Sequence, residues 1–298
     1  MSTLHRVKQR RLNMTQHLHN QTTHRGPVLV LGGTGKTGRR IVGRLRARGI
    51  DTRVGSRSGS PAFDWDEPSG WDAVLAGMSA VYISYTPDLA VPAAKQAIRH
   101  LVERAKAQGV QHLVLLSGRG EPDAQACERI VQESGLDWTI VRASWFNQNF
   151  SEGDFLPLVL SGDITLPAGH VPEPFVDAED IADVAVAALT ETGHIGEVYE
   201  VTGPRLMTFD ELASELSHAI GRKISFVRVP ANEFLQGFRQ AGAPEDMIWL
   251  LDYLFSTILD GRNAQICDGV ERALGRPPKD FSDFANEVAA SGLWSAAA

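Results

Sequence analysis

Cysteine is almost absent. Cys127 and Cys267 are the only two in 298 residues, which excludes a disulfide framework and a cysteine-based metal site and suits a reducing, cytoplasmic setting. No apolar run reaches the ~18 residues needed to span a bilayer, so a soluble protein with no membrane partner is expected. Acidic residues are missing from the start of the chain: up to Arg57 there are thirteen Lys and Arg against one acid, Asp51. The whole chain carries −7, so this basic start is joined to a strongly acidic body. That balance argues against nucleic acid as the partner and leaves the basic stretch to a phosphorylated small molecule. No internal repeat is visible. With 43% hydrophobic residues, 28 Gly and 15 Pro, the composition is that of a globular chain, neither disordered nor collagen-like.

Residues 1–26 have no acid and no apolar periodicity, and they lack the apolar core of a secretory signal. A disordered basic tail is expected there, with a transit peptide or a start codon ahead of Met14 as the alternatives. His5, His17, His19 and His24 have no metal-site spacing, so no metal is expected.

From Pro27 the pattern changes. Val28–Leu31 is all apolar, as a strand buried on both faces requires. Further strands are predicted at Thr52–Gly55, Val81–Ser84, His112–Leu116 and Trp138–Val141, alternating with helices, two of them over 91–108 and 125–133. This alternation predicts an α/β protein with a Rossmann-type, doubly wound parallel sheet. After Asn149 the alternation weakens and Pro/Gly punctuation increases. The expected organisation is a nucleotide-binding domain over 27–150, with 176–202 returning to it, and a smaller, mostly helical substrate lobe from 151–175 and 203–298. The large apolar residues of 247–255 read as lobe core, or else as a pocket wall or dimer surface. A monomer or homodimer fits equally.

Directly after the first strand comes Gly32-Gly33-Thr34-Gly35-Lys36-Thr37-Gly38, followed by the amphipathic pattern of Ile41, Val42 and Leu45. A strand turning sharply into a helix, with glycines where a pyrophosphate must approach the backbone, is a dinucleotide-binding turn. Gly35-Lys36-Thr37 is not the end of a triphosphate-binding loop, because such a loop needs glycine where Val30 stands. At the end of the second strand an NAD enzyme commonly has an acid for the ribose 2′-hydroxyl. Here Ser56 and Arg57 stand there instead, which predicts NADP, with NADPH preferred over NADH. Lys36 or Arg39 would add a second positive contact, whereas Arg44, Arg46 and Arg48 read as a solvated helix face.

These residues, together with Val114-Leu115-Leu116-Ser117, Trp145-Phe146-Asn147-Gln148-Asn149-Phe150, Phe175-Val176-Asp177 leading to Asp180, and Gly275-Arg276-Pro277-Pro278, resemble the NmrA-like, atypical branch of the short-chain dehydrogenase/reductases. Within it they look most like the festuclavine and agroclavine dehydrogenases and their bacterial relatives. The resemblance implies that Phe63, Asp64 and Trp65 border the adenine. It also implies that Ser84, Tyr85, Ser117, Trp145 and Phe146 line the cofactor toward the nicotinamide, where Asn147 and Asn149 are further polar candidates.

One departure bears on chemistry. The superfamily's Tyr-x-x-x-Lys pair belongs on the helix after the Ser-bearing strand, and residues 120–129 contain neither Tyr nor Lys. Tyr85 and Ser117 are therefore the candidate catalytic residues, Tyr85 as a phenolic proton donor. An iminium, quinone or enone acceptor needs less proton donation than a ketone. The expected function is an NADP(H)-dependent oxidoreductase acting on a small, hydrophobic, conjugated molecule. The alternative is a catalytically silent NADP-sensing regulatory protein.

Overall fold

Strand β1 is Val28–Leu31, and its side chains alternate between two buried clusters, Leu29 and Leu31 on one face and Val28 and Val30 on the other. The same division runs along the sheet. From β3 (Ala80–Ile83), β4 (His112–Gly118) and β5 (Asp137–Ala143), residues Val81, Ile83, Leu113, Leu115 and Ile140 join the first cluster, while Tyr82, Val114 and Val141 join the second. This is why the strands read as apolar runs: both faces are covered. The computed structural model describes residues 26–295. The tail expected over residues 1–26 thus lies, except for Gly26, outside the described residues.

With β2 (Thr52–Gly55) and β7 (Glu197–Val201), the sheet has six parallel strands in the order β2-β1-β3-β4-β5-β7. The chain winds from β1 to β2 on one side and then crosses to β3 on the other, so the ends of β1 and β3 flank the switch point where such sheets bind ligands. Only one strand lies beyond β1. The segment after β2 is rich in Pro, Gly and Asp and forms a loop and the short helix α2 (Trp71–Leu75) rather than another strand.

Helix α2 packs on the first cluster with α3 (Ala94–Ala107) and α4 (Pro122–Gln132). The other face is covered by α1 (Lys36–Ala47) and α7 (Ala178–Thr190). Here one expectation is corrected. Arg44 is not a solvated charge: it donates to Asp183 and Glu179, and neighbouring Arg40 donates to Glu179 and Glu152. These bonds tie α1 to α7. A helical wheel shows such arginines as an exposed face because it does not contain the acids of a helix about 140 residues away. Asp177 caps α7, accepting from the Glu179 N–H at 2.8 Å. Asp180 is buried in the first turn, where it takes Arg276 and the Lys279 N–H.

The lobe contains α5 (Asn149–Glu152), α6 (Leu156–Ser161), α8 (Phe209–Ile220), α9 (Ala231–Gln240), α10 (Glu245–Tyr253) and α12 (Phe281–Ala290). It also has a parallel strand pair, β6 (Asp163–Leu166) with β8 (Ser225–Arg228). Its core is aromatic: Phe175 meets Phe209 edge-to-face at 5.4 Å, and Phe150, Phe155 and Phe281 pack around them. Two boundaries differ from the sequence reading. Phe150 belongs to the lobe core, and α11 (Gly269–Leu274) leaves the lobe to pack through Val270 on the sheet side, beside α7 and β7. At Gly269 a Cβ would fall 2.2 Å from the Glu200 carbonyl oxygen, so α11 approaches β7 as closely as glycine allows.

Where lobe and sheet meet, Glu173 is fully buried with neither carboxylate oxygen hydrogen-bonded. Burial pushes it up to about 7, against the pull of Arg119. In the unfolded chain the group ionises near its ordinary value, so between roughly pH 4.5 and 7 the folded state binds the extra proton. Stability therefore falls as pH rises through that window, by up to about 3 kcal/mol. Glu173→Gln should flatten this slope and raise the melting temperature at pH 8. An unchanged slope in thermal unfolding from pH 5 to 8 would contradict the assignment.

Candidate functional site

The β1–α1 turn uses its glycines in two ways. Gly32 has φ +68°, a conformation in which an L side chain is strained. A Cβ on Gly33 would meet the Val30 carbonyl at 2.9 Å, and one on Gly38 would lie 2.1 Å from the Gly32 oxygen. Those glycines are required by the protein's own packing. Gly35 is different. A Cβ there meets only the Gly32 oxygen, at 3.3 Å, and otherwise open space. Gly35 is the N-cap of α1 and brings no side chain to the free N–H groups, and the first turn contains no acid. A helix start left open in this way is an anion site.

Gly35, Lys36 and Thr37 form one wall of a cleft of about 390 Å³ at the C-terminal ends of β1, β3, β4 and β5. Lys36 makes no ion pair among the described residues; burial lowers its ammonium, while Asp154 and Glu152 oppose the shift. Thr37 is held from behind, its hydroxyl accepting from Tyr82 Oη at 2.9 Å. Ser84 and Tyr85 follow β3 on the opposite wall, Ser117 comes from β4, and Trp145 and Phe146 follow β5. Asn149 also reaches the cleft, whereas Asn147 is buried with both amide atoms unpartnered. Leu254 and Ile258, just past α10, close the apolar side, so the 247–255 segment supplies lobe core and adjoins the pocket wall.

Gly32, Gly33 and Gly38 shape the turn behind this cleft without lining it, and Thr34 is exposed. Ser56 and Arg57 sit beyond it at the end of β2, next to the turn, since the Gly32 N–H donates to the Gly55 carbonyl at 3.0 Å. Arg57 is exposed and has no carboxylate partner among the described residues. Arg39 pairs with Glu152 instead of facing this edge. Trp65 is half-buried and packs on Tyr85 at 4.7 Å. The Asp64 carboxylate accepts from the Asp66 N–H, and its carbonyl accepts from the Trp71 indole. Phe63 is corrected: it is 3% exposed and lies in the core, stacked on Trp71. Of this trio, Trp65 presents the aromatic surface.

Two findings concern proton chemistry. Ser117 Oγ donates to Glu128 at 2.6 Å, and Glu128 also accepts from Arg142, which continues to Glu200 and Arg119. The Ser117 proton is therefore held by the protein. Burial raises the Tyr85 phenol above its ordinary value, and nearby acids such as Asp66 push the same way. A lysine beside it would do the reverse, and none lines the cleft near it. Sequence reasoning passed over Asp88, Glu121, Arg119 and Asn263, which also line the cleft. They lie on loops with no motif, and only the cluster of strand ends brings them together.

The turn gives a prediction. Gly35→Val should weaken NADPH binding more than tenfold while leaving the melting temperature nearly unchanged, because the new side chain occupies the anion's space. Gly38→Ala should instead lower stability by about 1–3 kcal/mol, through its collision with backbone. If titration calorimetry finds normal binding for Gly35→Val, the turn is not the cofactor's seat.

Comparison with known proteins agrees with this geometry. The family model described as NAD(P)H-binding matches residues 32–192. The chain is 31% identical to the NAD(P)H azoreductase of Xenophilus azovorans, covering 89% of this chain and 98% of that protein. It is 30% identical to the agroclavine dehydrogenase of Claviceps fusiformis, covering 87% and 96%. Its fold is similar to that of the Citrobacter sp. triphenylmethane reductase complexed with NADP(H), with a TM-score of 0.72 at 20% identity over 88% of this chain and 99% of that one. The strand–glycine turn–helix at the switch point, and a likeness that runs almost end to end, lead to one conclusion: the chain belongs to the NAD(P)H-binding family.

Proposed function

We propose that the protein is an NADPH-dependent reductase delivering a hydride to a small, hydrophobic, conjugated acceptor of the iminium, quinone or enone type. The observation that carries the reading is Gly35, an open glycine at an uncapped helix start, beside a cleft floored by strand ends and walled by Trp145, Phe146, Leu254 and Ile258. The residues fit a dinucleotide. Gly35, the α1 N–H groups and Lys36 would hold the diphosphate, and Ser56 and Arg57 the 2′-phosphate. Trp65 would border the adenine, while Ser84, Tyr85, Ser117, Trp145 and Phe146 would line the nicotinamide end. When bound, the dihydronicotinamide supplies a hydride.

The acceptor class follows from the protons that Tyr85 and Ser117 offer. Tyr85 is a weaker acid than a free phenol, and the Ser117 proton is committed to Glu128. Neither is the activated donor of lowered pKa that assists hydride transfer to a simple ketone. An acceptor that delocalises or neutralises the incoming charge avoids that demand. The azoreductase and the agroclavine dehydrogenase among the relatives support a conjugated or nitrogen-containing acceptor.

Two measurements test the reading. NADPH oxidation should proceed with quinones, enones or iminiums and be slow with aliphatic ketones, and Tyr85→Phe should retain turnover within about tenfold. A loss of ~10²–10⁴-fold would make Tyr85 the proton donor after all. No oxidation with any acceptor would leave a cofactor-binding protein without turnover. For cofactor choice, an unpaired arginine at the 2′-phosphate contributes about 1.5–3 kcal/mol, a ten- to hundredfold preference for NADPH. Arg57→Ala should abolish it, and equal dissociation constants for NADPH and NADH in the wild type would refute the assignment.

A further inference from the structure

The cleft contains a second pair of acids that the glycine turn does not account for. Glu121 precedes α4 as its N-cap residue, yet its side chain makes no capping bond. It folds back over the end of β4, where its carboxyl occupies the space a Cβ on Gly118 would take, 2.3 Å from that position. Glu121 is 6% exposed, lines the cleft, and its Oε2 has no hydrogen-bond partner. Facing it is Asp88, in the loop after β3, partly exposed to the same cleft and held in place by the Ala90 N–H at 2.8 Å.

We propose that Asp88 and Glu121 act together as the proton donor of the cleft, a single O–H shared by the two carboxyls protonating the acceptor's oxygen or nitrogen as it takes up a hydride. This rests on the reductase reading above and deepens it for the quinones and enones among its acceptors, which without a proton would finish the reaction as delocalised anions. Two carboxyls that share one site resist ionising together, so the first to lose its proton makes the second hold its own more tightly. Burial, then the Asp88 carboxyl and then Glu128, holds Glu121 well above the usual carboxylate range; Asp88 is also raised, mainly by burial. The titration belongs to the pair rather than to either residue. The groups facing it are Glu128 and Asp123 on α4, Tyr253 at the end of α10, Lys95 on α3, and Arg262, which donates to the Gly120 carbonyl. Glu128 is neutralised by Arg142, and Lys95 by Asp123. Among the described residues no cation pairs with either carboxyl, so no ion pair there favours loss of the second proton.

The step balances. A quinone carbon or oxygen accepts the hydride and its two electrons from the dihydronicotinamide, which is oxidised, and the electron pair displaced in the quinone settles on oxygen. The carboxyl O–H bond breaks, the hydroquinone O–H bond forms, and water reprotonates the pair. Glu121 stands at the start of the helix that would have carried the missing Tyr and Lys, so the pair occupies a suitable place for the proton they would have supplied.

The test compares a benzoquinone, which needs a proton, with a cationic triphenylmethane dye, which becomes neutral on hydride addition alone. In Asp88→Asn and in Glu121→Gln the quinone-to-dye ratio of kcat should fall by ~10²–10⁴-fold. In the wild type, kcat for the quinone should decline as pH rises through the pair's titration while that for the dye stays flat. Independently of activity, the infrared carbonyl stretch of undissociated carboxylic acid at pH 7, to which Glu173 also contributes, should be weaker in Glu121→Gln than in the wild type. An unchanged ratio in both variants, or an infrared band that Glu121→Gln leaves undiminished, overturns the proposal. If the wild type oxidises NADPH with neither acceptor, the reductase reading fails and the proposal with it; an unchanged ratio with active enzyme defeats the proposal alone.

Discussion

The contact between the start of α1 and the Gly32 carbonyl governs the rest of the molecule. Because Gly38 has no Cβ, the helix backs directly onto the end of β1. That closeness aims the α1 N–H groups across the strand ends and brings Lys36 and Thr37 to the cleft wall. It also brings α1 against α7, where Arg40 and Arg44 meet Glu179 and Asp183. A longer turn would move the helix off the sheet and lose both the anion site and this ion-pair seam. Among the glycines of the turn, Gly35 is the one whose added Cβ would meet no closer atom than the Gly32 oxygen at 3.3 Å, so packing constrains it least.

A second organising feature is the charged chain from Ser117 through Glu128, Arg142 and Glu200 to Arg119, which ends on Ser144 at 3.0 Å and on Cys267. It braces the ends of β4, β5 and β7 just below the cleft. Being paired throughout, it rigidifies the site and offers no loose proton. Asp88 and Glu121 stand outside it, unneutralised, on loops above the same strand ends. The chemistry available to the protein follows from that division, with satisfied charges below and an unsatisfied acid pair at the cleft.

The lobe completes the site through shape. Its aromatic core fixes Trp145, which packs on Phe255 at 5.3 Å, and so relates the exit of β5 to the π-helical turn after α10 where Leu254 and Ile258 reach the cleft. The hydrophobic wall of the pocket is therefore built by residues more than a hundred positions apart.

How much of this was legible in the sequence depends on the range over which each feature is encoded. The strands, the turn and the replacement of an acid by Ser56 and Arg57 are local patterns: alternation of faces, glycine spacing and residue type carry them, so the sequence by itself determined the fold class and the position of the glycine turn. The cleft candidates Ser84, Tyr85, Ser117, Trp145 and Phe146 were legible because each follows a strand, and parallel strands bring all their C-terminal ends to one side. Other features depend on partners that no local pattern contains. Phe63 was drawn into the core by Trp71, Arg44 was neutralised from α7, and α11 was recruited back to β7. Asp88 and Glu121 are 33 residues apart and in no motif, and each alone reads as an ordinary surface acid. Only the tertiary structure decided that they line one cleft, because their burial and mutual repulsion exist only once the strand ends have assembled.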